Sequence, residues 1–133
     1  IFDGYLLEQC YPSLFSKCFT PLQVDGSMGL TAAVSEMLVQ SNDGAVELLP
    51  ALPKSWGTGR FDGVRVRGGF TLSMEWKEAK VTAVKVSAAL DGDFRLVTGG
   101  RSVWWNNRRM KPDASGVIVL RMKKGERRSL VFR

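Results

Sequence analysis

The stretch from Phe70 to Trp76 constrains the fold more than any other. Phe70, Leu72, Met74 and Trp76 alternate strictly with Thr71, Ser73 and Glu75, the period of a strand with one buried face and one wet face. Val64 and Val66 alternate with Arg65 and Arg67 just before it, across Gly68-Gly69. Lys77-Glu78-Ala79-Lys80 reads as a hairpin turn, with Val84 and Val86 on the return strand. Further strands fit Phe94–Val97, Ser102–Trp105, Val117–Met122 and Ser129–Phe132, each bounded by Gly, Asp or Asn. Short strands at this spacing predict an antiparallel β-sandwich.

Before residue 44 the period is different. Leu6, Leu7 and Cys10 stand at helical spacing, and Pro12 ends any such helix or starts a new segment. Leu30, Ala33, Val34, Met37 and Leu38 mark one face of an amphipathic helix, which Ser41-Asn42-Asp43-Gly44 stops. A helical stub this short needs partner helices to bury its apolar face. The expectation is therefore a helical segment over residues 1–43, cut from something larger, followed by a β-sandwich over residues 44–133.

Charge and composition exclude several functions. The formal charge is +6, from 19 Lys and Arg against 13 Asp and Glu, which raises the question of nucleic acid. The basic residues cluster at Arg108, Arg109 and Lys111 and again over Arg121–Arg128. The second cluster lies between two apolar runs and reads as an exposed hairpin turn; no nucleic-acid motif accompanies it, so no nucleic-acid partner is expected. No run approaches the roughly 20 apolar residues of a membrane-spanning helix, and no membrane partner is expected. The chain has no histidine, which excludes Ser-His-Asp and Cys-His chemistry within it. Its two cysteines, Cys10 and Cys18, make no zinc set without histidine and no disulfide framework; two buried thiols are the expectation, with a Cys10–Cys18 bridge in an exported protein as the alternative. No metal and no cofactor is expected.

The segment best suited to chemistry is Thr20-Pro21-Leu22-Gln23-Val24-Asp25-Gly26-Ser27-Met28-Gly29, at the mouth of the amphipathic helix. A carboxylate there meets free backbone N–H groups and the positive end of the helix dipole. Such a group suits orienting a water or an amide better than donating a proton. On pattern alone, Asp25 or Ser27 as a helix N-cap and nothing more is the better expectation.

Several runs together resemble the C-terminal region of glycoside hydrolase family 95. They are Pro12-Ser13-Leu14-Phe15, Pro21–Gly29, Thr31–Ser41, Leu48-Leu49-Pro50-Ala51-Leu52-Pro53-Lys54-Ser55-Trp56 and Arg65-Val66-Arg67-Gly68-Gly69-Phe70. The resemblance implies an inverting α-L-fucosidase or α-L-galactosidase acting on an oligosaccharide, secreted or periplasmic. It also implies an architecture in which residues 1–43 end a catalytic (α/α)6 barrel and residues 44–133 form the C-terminal sandwich. The remaining polypeptide of the parent enzyme would be the partner of this chain, which alone would be inactive. In that family a glutamic acid donates the proton, and asparagines polarised by an aspartate activate the water. Asp25 matches that aspartate, and Gln23 and Ser27 fall at substrate-contacting positions. Ser27-Met28 replaces the family's Asn-Phe, and Phe19-Thr20-Pro21-Leu22 replaces its His-Pro-Pro-Phe, so the sugar specificity is open.

A non-catalytic carbohydrate-binding or structural capping module is the alternative. Trp104 and Trp105 point to opposite faces of a strand, so at most one is core and the other is a possible sugar platform, with packing the better expectation for both. Trp76 completes the buried stripe, and Trp56 is placed at the junction between barrel and sandwich.

Overall fold

The computed structural model describes Gly4, residues 8–13, Lys17 and residues 24–133. It divides into two compact units, Ile1–Glu36 and Met37–Arg133. Leu6, Leu7, Cys18, Phe19 and Gln23 lie outside the described residues. Cys10 is buried and free.

Helix α1 spans Val24–Leu38 and contains no buried residue. Leu30, Val34, Met37 and Leu38 are half-buried while Ala33 is exposed, so the apolar face is narrower than the sequence period suggests. Its last turn leaves carbonyls without intrahelical donors. The following segment supplies two: Leu49 N–H donates to the Leu38 carbonyl at 2.8 Å, and Ala51 N–H to that of Met37 at 3.2 Å.

The rest of the second unit is an antiparallel β-sandwich. A short ladder pairs β1 (Val39–Gln40) with β2 (Glu47–Leu48). One layer is a six-stranded sheet in the order β3-β4-β5-β10-β7-β8. Its strands are β3 (Gly59–Val66), β4 (Phe70–Lys77), β5 (Lys80–Ala88), β7 (Val103–Trp105), β8 (Arg108–Arg109) and β10 (Arg127–Phe132). The other layer pairs β6 (Gly92–Val97) with β9 (Val117–Met122), and Val46 bridges to Leu96 at its edge.

Alternation decides which side chains fill the space between the layers. Leu72, Val86, Val84 and Leu130 face inward from the large sheet, and Phe94, Leu96, Ile118 and Leu120 from the small one, all essentially inaccessible. Each such side chain contributes about 1.5–3 kcal/mol of transfer free energy. Phe70 and Phe94 join the layers edge to face, with ring centroids 5.2 Å apart.

Two devices shape the large sheet. The register of β3 against β4 shifts between Phe61 and Val64. Gly63 supplies the positive φ of 78° that this bulge requires. At the other end of β4 the Trp76 indole lies against the Gly59 backbone, where a Cβ would sit 2.3 Å from the ring. Trp76 Nε1–H donates to the Trp56 carbonyl at 2.8 Å, so the end of the Leu48–Trp56 run is tied to the sheet.

The run Arg121–Arg128 is not a hairpin. β9 pairs with β6 and β10 with β5, so the turn between them crosses from one layer to the other. Three of its five cations are engaged: Arg121 pairs with Asp93 at 3.1 Å, Lys123 with Asp91 at 3.1 Å and Arg128 with Glu126 at 2.7 Å.

Candidate functional site

Asp25 occupies the first turn of α1 and is exposed. One carboxylate oxygen accepts the N–H of the next residue, Gly26, at 3.0 Å. This ties the side chain to the helix mouth. Residues three and four apart share a helix face, so Asp25 lies with Met28, which is 69% exposed, and with Gly29. Ser27, two positions on, points away from Asp25 and is half-buried. Its carbonyl accepts the Thr31 hydroxyl at 3.1 Å. The structure thus does not bring Asp25 and Ser27 onto one face of the helix, and Gln23 lies outside the described residues.

The tryptophan pair separates as strand geometry requires. Trp105 packs partly against the core, with the Arg128 guanidinium 4.2 Å from its ring centroid. Trp104 stands on the outer face opposite Val131, with the Arg133 guanidinium 4.8 Å from its centroid. Its indole N–H is buried with no hydrogen-bond partner among the described residues. Each ring therefore already carries a cation where a sugar would stack. Trp76 is core, and Trp56 is half-buried.

The titratable groups held most firmly sit at one end of the sandwich. The Lys124 backbone N–H, and then the Lys123 ammonium, hold the Asp91 carboxyl below the usual carboxylate range. The Arg128 guanidinium, and then the Lys123 backbone N–H, do the same for Glu126. These groups are structural clips, fully occupied by their partners. Among the described residues no group of three His, Cys, Asp or Glu is placed to hold a metal ion, and no helix is long and apolar enough to cross a membrane.

What remains is a two-layer antiparallel sandwich preceded in the chain by a helix. Residues 40–130 match the glycoside hydrolase family 95 C-terminal domain, and the chain belongs to that family. It is 47% identical over 72 residues to an alpha-L-fucosidase 2 of Arabidopsis thaliana, covering 51% of this chain and 8% of the relative. It is 35% identical over 72 residues to a probable alpha-fucosidase A of Aspergillus niger, covering 46% of this chain and 9% of the relative. With a probable alpha-fucosidase A of Aspergillus oryzae it shares 31% identity over 98 residues, 64% of this chain and 14% of the relative. The matched segments are thus a small part of each relative's length.

Proposed function

We propose that this chain is part of a longer glycoside hydrolase that removes terminal α-L-fucosyl or α-L-galactosyl residues from oligosaccharides with inversion. The observation that carries this reading is the match of residues 40–130 to the family's C-terminal domain, together with the likeness to alpha-L-fucosidases. Residues 1–43 are read as the last helices of the catalytic (α/α)6 barrel. Residues 44–133 are read as a sandwich that caps the barrel. A 15-residue helix with no buried residue suits a helix whose partners lie in the intact enzyme. Secretion or a periplasmic location fits the same family.

An inverting glycosidase needs an acid and a base on opposite faces of the sugar, with a water between the base and the anomeric carbon. A neutral amide is a weak base until an ionised carboxylate orients and polarises it. Asp25 takes that polarising role, acting on asparagines from the rest of the enzyme. Its exposure and its position in the first turn support this, because the helix end favours a negative charge there. Gln23 and Ser27 are assigned to substrate contacts. A carbohydrate-binding role through Trp104 or Trp105 is less well supported, since arginines stack on both rings.

The test compares full-length parent enzyme, its Asp25→Asn variant and this chain alone on nitrophenyl α-L-fucoside, nitrophenyl α-L-galactoside and a fucosylated oligosaccharide. The expected result is activity in the parent and none in the chain alone. Asp25→Asn lowers kcat/KM by about a hundredfold or more. Full activity in Asp25→Asn would reduce Asp25 to a helix-end residue, and an inactive parent would remove the hydrolase assignment.

A further inference from the structure

The outer face of the six-stranded sheet carries a groove of about 280 Å³. Strand register explains its make-up. Arg65 on β3 stands opposite Thr71 on β4, Thr71 opposite Ser87 on β5, and Ser87 opposite Arg127 on β10. The next outward-facing row runs Ser73, Lys85 and Ser129. With neighbouring strands 4.7–4.9 Å apart, Arg65 and Arg127 are separated at the backbone by about 14 Å.

Two features distinguish this face from the rest of the surface. First, no carboxylate lines the groove, whereas the acidic groups Asp91, Asp93 and Glu126 are bound to their own cations elsewhere. Arg65, Lys85 and Arg127 are exposed, and none of the three has a side-chain ion pair among the described residues. Second, three of its four hydroxyls are idle. Elsewhere the Thr82 and Thr98 hydroxyls donate to backbone carbonyls, and within the groove Ser73 accepts the Gly63 N–H at 3.3 Å. Thr71, Ser87 and Ser129 make no such bond among the described residues. Asp62 and Glu75 share a separate small depression with Lys85, so the positive end of the groove lies toward Arg127.

We propose that this groove is a non-catalytic binding site for an acidic oligosaccharide, one bearing uronate carboxylates or sulfate esters. The cations meet the anionic substituents, and the hydroxyls of Thr71, Ser87 and Ser129 pair with the sugar hydroxyls. Arg127 is the natural partner for bidentate contact with carboxylate or sulfate, and Arg65 continues the row beyond the groove on β3. The anionic character follows from the groove alone. The saccharide class rests on the proposed glycosidase function, and binding is measured without catalysis, so failure of one leaves the other testable.

Calorimetric titration of the full chain with a hexa-oligogalacturonate, a sulfated hexasaccharide, neutral maltohexaose and a single-stranded oligonucleotide provides the test. The expected result is saturable binding of at least one acidic saccharide, weakened as salt rises from about 0.05 to about 0.5 M, with no binding of maltohexaose. Lys85→Ala/Arg127→Ala weakens it about tenfold or more, while Arg95→Ala, an exposed arginine on β6 in the other layer, leaves it unchanged. Thr71→Ala/Ser87→Ala weakens saccharide binding several-fold, roughly the value of one or two hydrogen bonds, and spares any oligonucleotide binding. The proposal is overturned by no binding of either acidic saccharide, by binding insensitive to the Lys85/Arg127 pair, or by oligonucleotide binding as tight as that of the saccharides.

Discussion

At the residue scale, the turn between β4 and β5 holds two side chains in an unfavourable backbone region. Glu78 and Ala79 have φ of 53° and 57°, and Lys77 pairs directly with Lys80 across them. This two-residue turn requires positive φ at both central positions, a conformation that Asn-Gly adopts far more readily. For a residue with a Cβ the left-handed region costs roughly 1–2 kcal/mol. Ala79 is exposed, and its N–H donates to the Gly57 carbonyl at 2.7 Å, a bond that glycine retains. Ala79→Gly is therefore expected to stabilise the domain by about 0.5–1 kcal/mol, the relief of strain outweighing the added freedom of the unfolded chain. Thermal and urea unfolding of the two proteins measure it; an unchanged or lower stability would show that the turn is relaxed with alanine. The turn at Asn106-Asn107, with φ of 48° and 60°, already carries residues that tolerate this region, and is the internal comparison.

At the scale of elements, two crossings between the layers are clipped together at one end. The β5–β6 connection offers Asp91, whose oxygens accept the Lys124 N–H at 2.8 Å and the Lys123 ammonium at 3.1 Å. The β9–β10 connection closes on itself through Glu126, which accepts the Lys123 N–H at 2.9 Å and Arg128 Nε–H at 2.7 Å. Both carboxyls are held below their ordinary values of 3.8 and 4.5. The unfolded chain thus takes up protons before the folded one does as the pH falls. Their contribution is fully present above the ordinary values and is lost as pH falls through those values and on through the lower folded ones. Asp91→Asn is expected to lower Tm at neutral pH and to shrink the fall in Tm between about pH 6 and about pH 3. An acid limb as steep as that of the unaltered protein would assign the pH dependence to other groups.

The same elements show what a linear sequence discloses. Alternation marks β4 and the other long strands because burial on one face imposes a period of two. It is silent on β1, β2 and β8, two residues each, and it does not say which layer a strand joins. A basic turn between two apolar strands looks alike whether it folds back as a hairpin or crosses the sandwich, as Lys123–Glu126 does. Asp25 was legible through its motif and its place before a helical period. The groove was not, because Thr71, Ser87 and Arg127 meet only through cross-strand register.

At the scale of the whole molecule, the hydrophobic core among the described residues runs from Val39 to Phe132, with Leu38 packed against it. Both backbone bonds that tie the Leu49–Ala51 segment to the helix end lie at Met37 and Leu38, within the unit Met37–Arg133. That unit of about 100 residues falls in the ordinary size range of an independently folding domain. Its cross-layer contacts, such as Phe70 on Phe94, bring together strands far apart in sequence, which predicts cooperative all-or-none unfolding. Truncation to residues 37–133 is therefore expected to preserve the β-sheet circular dichroism spectrum, a single unfolding transition and a Tm within about 3 °C of the full chain, a shift of under about 1 kcal/mol. Loss of the cooperative transition would mean that residues before Met37 supply part of the domain's stability. In that event the sandwich would need its leading helical segment in order to fold, and the proposed division between a catalytic barrel and a separate cap would have to be redrawn.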